Sequence, residues 1–123
     1  MRGQISLEYL FISVISLCLI SISLFSLMAI RDFSMKAIEI LTFKFSVSTL
    51  SNMIGEVCVM GNGNSQYLYL NNLSVESVKD DFWIVRFSSG NMSIVKKALC
   101  QVEGKANGET QIKNENGIII LSN

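Results

Sequence analysis

Glu8 is the first residue whose type and place ask for a chemical reason. It stands at the mouth of an uncharged run, Tyr9 to Ile30, built mostly from Leu, Ile, Phe, Val and Ser. A charge at bilayer depth costs about 2.5–3.5 kcal/mol on insertion scales, so such a residue usually has a partner or a task. A bland role is also open to it, as a solvated acid favoured by the positive end of a helix dipole. The other candidates are weaker. Asp80-Asp81 could hold a cation, but adjacent carboxylates at a hairpin usually make a turn. Gly61-Asn62-Gly63-Asn64 lacks the Lys-Ser/Thr that follows a phosphate loop, and reads as a turn. Phe82-Trp83 could form a ligand platform, although strand alternation would put one ring in the core and the other outside. The chain has no His, and so lacks the commonest general base and the commonest metal ligand. No nucleophile–base set and no metal-ligand spacing replaces it. The expectation is a protein that is not an enzyme, with no cofactor and no metal. Ten basic residues balance ten acidic ones, which leaves no net field to attract nucleic acid.

The elements that position Glu8 follow from the hydropathy. Arg2 and Glu8 are the only charges before Arg31, and residues 9–30 are long enough to span a hydrocarbon core of about 30 Å. A cleaved secretory signal has an apolar core of only about 7–15 residues and a small-residue cut site after it. No such site closes this run. Arg31, Lys36 and Lys44 after the span outnumber Arg2 before it. By the positive-inside rule this mildly favours a cytoplasmic C-terminal side, yet whole domains translocate largely regardless of charge. Ser13, Ser16, Ser23 and Ser26 share one side of the helix. They either bond back to their own carbonyls or form a small-residue face for a neighbouring helix. Cys18 in the span reads as a small space-filling hydrophobe.

The segment Arg2-Gly3-Gln4-Ile5-Ser6-Leu7-Glu8-Tyr9, running directly into an unbroken apolar helix, resembles the class III signal peptide of archaeal type IV pilin-like proteins. The resemblance covers roughly residues 2–30, with Gln4, Ser6, Glu8 and Tyr9 as its specific positions. It implies that residues 1–3 are a leader, removed by a membrane prepilin peptidase between Gly3 and Gln4. Gln4 then becomes the first mature residue and Glu8 the fifth. In type IV pilins an acid at that place pairs with the N-terminal amine of a neighbouring subunit during assembly. The resemblance further implies an assembly ATPase, a membrane platform protein, other pilins as partners and attachment as the output.

After the span, Phe33, Ala37, Ile40, Leu41, Val47 and Ile54 keep helical intervals, with Asp32 and Lys36 as an i,i+4 pair. There is no Pro, so nothing obliges a kink. Gly55 offers a stop. The expectation is one helix over residues 4–55, its apolar face too large for the remaining chain to cover. From residue 56 to 123 the texture changes to short β-rich runs separated by Gly and Asn. Val57–Met60, Gln66–Leu70, Leu73–Val78, Phe82–Phe87, Met92–Val95, Leu99–Val102, Thr110–Lys113 and Gly117–Leu121 give six to eight candidate strands. The fold class is thus α+β: a long N-terminal helix followed by a small antiparallel β domain packed on its C-terminal half. Cys58 and Cys100 fall in this domain. Outside the membrane a bridge between them would supply about 2–4 kcal/mol, and two buried free thiols are the alternative. Asn72-Leu73-Ser74 and Asn91-Met92-Ser93 match the N-glycosylation sequon, a number of matches near chance for this composition.

The reading that joins these features is a subunit of an archaeal type IV pilus-like filament. It is inserted in the membrane as a precursor and then assembled with copies of itself at the cell surface. The alternative is a non-polymerising membrane-anchored binding or sensor module, which has no use for the cut at Gly3 or for Glu8.

Overall fold

The computed structural model describes residues 2–123, with side chains from Ser6 onward. Its elements are one helix, α1 (Arg2–Met60), and five strands: β1 (Ser65–Lys79), β2 (Trp83–Ser89), β3 (Met92–Ala98), β4 (Gln101–Glu115) and β5 (Ile118–Ser122). By its internal contacts the chain divides into two units, Met1–Glu39 and Ile40–Asn123. The fold is α+β, a long N-terminal helix followed by a small sheet.

In the first unit every described side chain from Ser6 to Lys36 is exposed. The five serines of the apolar run are nevertheless bonded back to their own helix. Ser13 donates to the Leu10 carbonyl, Ser16 to Ile12, Ser21 to Leu17, Ser23 to Leu19 and Ser26 to Ile22, at 2.8–3.0 Å. Each hydroxyl is thereby hidden from an apolar surrounding, which is the local bonding expected of Ser in helices that leave water.

The second unit is organised by a seam on the last turns of α1. Phe43, Val47, Leu50, Ile54 and Val57 alternate at spacings of four and three, which keeps them on one side of the helix. All five are buried in one cluster with Leu70, Leu73 and Val75 of β1, Val85 and Phe87 of β2, and residues of β4 and β5. Of the positions read from the sequence, Val47 and Ile54 join this core. Phe33, Ile40 and Leu41 are exposed, and Ala37 is half-buried.

The helix continues to Met60, past the stop expected at Gly55. Gly55 lies in open space, and a single Gly inside a helix costs only about 1 kcal/mol. Burial of Val57 at the end of the seam outweighs that cost. It also overrides the strand propensity of Val57–Met60, which is helical. Gly61, with φ of +86°, makes the actual stop. Asn64 Nδ2 then donates to the freed carbonyls of Met60 and Gly61, at 2.8 and 3.3 Å.

The sheet order is β3-β2-β1-β4-β5. Five strands replace the six to eight expected because two pairs of candidate strands fuse. Gln66–Leu70 and Leu73–Val78 are both parts of β1, joined across an irregularity in its pairing with β4 between Leu70 and Leu73. Asn72 sits there at φ +42°. Residues three apart on a regular strand face opposite sides; the extra residue resets the phase so that Leu70 and Leu73 both enter the core. In the same way Leu99–Val102 and Thr110–Lys113 largely belong to the single strand β4.

The pairing is antiparallel except at β5. That strand runs parallel to the first part of β4 (Gln101↔Ile118 to Gly104↔Leu121) and antiparallel to its last part (Ile112↔Leu121 to Glu115↔Ile118). Both halves of β4 therefore border β5. Gly104 permits this: its φ is +135°, and a Cβ there would run into the carbonyl oxygen and Cβ of Leu121. The tight return into β5 is the pair Asn116-Gly117, at φ of +57° and +86°, the conformation that favours Asn-Gly in two-residue hairpins.

Candidate functional site

The candidate surface is the helix of the first unit. A helix that is apolar all round is stable only inside a membrane or among other helices. This one is long and apolar enough to cross a membrane, with an 18-residue window of mean hydropathy 2.5 that is wholly unburied. The same property belongs to a signal segment, so membrane insertion or a signal function is what the helix by itself supports. Ser6, Glu8 and Tyr9 lie at its start and are exposed. Gly3 and Gln4, which carry the expected cut and the expected partner amine of Glu8, are described only as backbone of α1. Beyond the apolar run, Arg31, Asp32, Lys36 and Glu39 bring charge to the end of this unit.

In the second unit Cys58, on the last turn of α1, is joined to Cys100, between β3 and β4, with Cα atoms 6.1 Å apart. That separation lies inside the usual disulfide range of about 4.4–6.8 Å. Cys18 is free and exposed on the helix of the first unit. Denatured, unreduced protein is therefore expected to titrate one thiol and reduced protein three. Three thiols before reduction would show that the bridge is absent. Replacing both Cys58 and Cys100 by Ser should lower the unfolding free energy by about 2–4 kcal/mol, measured by denaturant unfolding in detergent.

A second tie joins the end of α1 to the β4–β5 turn, and it was not legible from motif reading. Asn114 is buried, with its Nδ2 donating to the Val57 carbonyl at 3.2 Å and its Oδ1 accepting from Gly117 N at 3.0 Å. Its backbone carbonyl accepts from Gly63 N at 2.9 Å, and its N–H donates to the Asn64 carbonyl at 3.0 Å. Asn62 Oδ1 accepts from Asn116 N at 2.9 Å. Gly61-Asn62-Gly63-Asn64 is thus a docking turn for the helix end. The signal present in the sequence was the recurrence of Asn beside Gly in two separate turns.

The remaining candidates resolve as structure. Asp80 and Asp81 form the exposed β1–β2 turn, where Asp80 N donates to the Phe82 carbonyl. Among the described residues no three His, Cys, Asp or Glu gather as a metal group. Neither Phe82 nor Trp83 enters the core, contrary to the alternation argument: Phe82 is exposed and Trp83 half-buried. Phe82 precedes the strand rather than alternating within it. Each ring instead faces a lysine, with Lys97 Nζ 5.2 Å from the Phe82 centroid and Lys79 Nζ 5.8 Å from that of Trp83. Asn72 and Asn91 are both exposed, the first in β1 and the second in the β2–β3 turn. No protein-family model, no curated protein and no solved structure matches the chain.

Proposed function

We propose that this chain is a structural subunit of an archaeal type IV pilus-like surface filament, serving attachment. The observation that carries the reading is the exposed apolar run of the helix from Tyr9 to Ile30, in a chain whose second unit has its own buried core. In the precursor that helix sits in the membrane. In the filament the same surface is buried against the helices of other copies and of other pilins, and the sheet units lie outside. The satisfied serines support this, because neither environment offers their hydroxyls water. Glu8 is the assembly residue. Surrounded by Leu, Ile and Phe, its carboxylate needs a cation, and the amine of Gln4 freed by processing is the one the resemblance supplies. A pair between adjacent copies fixes the stagger of one helix on the next. The prepilin peptidase, the assembly ATPase and the platform protein are the partners this route requires.

The mature protein is expected to begin at Gln4 when its N-terminal peptide is identified by mass spectrometry. An intact Met1, or a start after residue 25, contradicts the proposal. A bulky replacement of Gly3 should block the cut and leave membrane insertion unchanged. A retained Met1 on a stable, surface-exposed chain is the result that a non-polymerising anchored module would give.

A further inference from the structure

We infer that Asn91 is the acceptor of an N-linked glycan and that Asn72, with an equally complete sequon, is closed to modification by the fold. The inference rests on the proposed location of the sheet unit outside the membrane. Solvent exposure does not separate the two sites, since both asparagines are exposed and Asn72 lines an open cleft of about 510 Å³ with Ser88, Ser89 and Gly90. What separates them is the state of the two residues that follow each one. A transferase has to reach the whole Asn-x-Ser stretch, third-position hydroxyl included.

At Asn72 that stretch is locked. Leu73 is 2% exposed and packed in the core. Ser74 is half-buried, its hydroxyl 2.6 Å from that of Ser88 and donating to the Ser88 carbonyl at 3.3 Å. The backbone is flanked on both sides: Ser74 pairs with Ser88 of β2 and with Lys105 of β4, and Leu73 with Ala106 of β4. Lifting these residues out would break two ladders and expose a buried leucine.

At Asn91 none of this holds. Gly90-Asn91 is the exposed turn between β2 and β3, and β3 is the edge of the sheet. Ser93 is exposed and Met92 half-buried; their backbone partners are Ser88 and Ser89 on β2 alone. Peeling the start of one edge strand presents the stretch at little cost. In the transfer, Asn91 Nδ2 attacks the anomeric carbon of a sugar carried on a polyprenyl phosphate. The C–N bond forms as the C–O bond to phosphate breaks, the electron pair leaves with the lipid phosphate, and Nδ2 gives one proton to a base of the transferase.

The test is site-resolved peptide mass spectrometry of the full chain from its native cells. Expected is one glycan mass on the Asn91 peptide and an unmodified Asn72 peptide. Asn91→Gln and Ser93→Ala should each remove that glycan, and both are exposed substitutions that leave the core intact. A glycan on Asn72, with or without one on Asn91, overturns the inference. Protease digestion of intact cells separates the two layers of argument. If the sheet unit is cleavable from outside and neither site is modified, the inference fails alone. If the unit is protected, the external location fails, and the inference with it.

Discussion

Glu8→Gln is expected to leave cleavage and membrane level unchanged and to reduce incorporation into filaments severely. Gln keeps the size of the side chain, removes the charge and turns one acceptor oxygen into an NH2 donor. In the proposed membrane precursor the residue would sit near the headgroups at the start of the helix, where either form is tolerated. In a filament core the amine of the adjacent Gln4 would be left charged and without its counter-ion. Removing one partner of a buried ion pair costs about 3–5 kcal/mol, or roughly a hundredfold or more in the assembly equilibrium. The comparison is the amount of each variant in sheared surface filaments against the amount in membranes. Peptide mass should also show Gln4 uncyclised, because pyroglutamate has no charged amine to offer. Filaments at normal yield from the Gln variant would remove Glu8 from the account.

Gly104→Ala is the second large effect, and it acts on the fold rather than on assembly. At φ of +135° an L side chain is strained, by about 1–3 kcal/mol. The new Cβ also meets the backbone oxygen and Cβ of Leu121, which cannot swing aside as a flexible side-chain tip could. β5 must then separate from the first part of β4 and withdraw Ile119 and Leu121 from the core. A loss of about 3 kcal/mol or more is expected, read by thermal unfolding of the full chain in detergent. Gly90→Ala is the control: its φ of +56° carries strain alone, with open space around it, so a much smaller loss is expected. Equal effects at the two sites would show that the contact with Leu121 is not what Gly104 protects.

These contrasts explain which parts of the molecule could be read from the residues. The apolar run and the helical spacing after it are local signals, so the helix was legible. Its end was not, because Gly55 and the β-branched Val57 and Val59 argue locally for stopping. Val57 is buried against strands that follow the helix, and the bridge from Cys58 reaches Cys100, 42 positions away. The strands were legible as β texture and miscounted as elements. An irregularity at Asn72 does not end a strand, and neither does the positive φ of Gly104. Periodicity sees an interruption at both places where the sheet has only a bend. The Asn116-Gly117 turn was written plainly in the sequence. The Asn114 clasp was not, since it depends on two turns meeting across the unit. In the candidate site, Glu8 stands out in the sequence because a carboxylate at the start of an apolar run is costly, and the structure adds only that it is exposed on α1. The expectation that the remaining chain cannot cover the apolar helix agrees with the exposure of every described side chain from Ser6 to Lys36; which later turns of α1 carry the core seam depends on long-range packing.

In the proposed filament the helix of the first unit is buried among the same helices of other copies. Electron cryo-microscopy of filaments sheared from the cell surface, with their subunits identified by mass spectrometry, tests it most directly. The predicted result is a core of packed helices formed by this chain from Gln4 onward, with Glu8 next to the N-terminus of a neighbouring copy and the sheet units on the outside. The claim is contradicted if the chain is found only in membranes, with its N-terminus intact, while surface filaments from the same cells contain none of it.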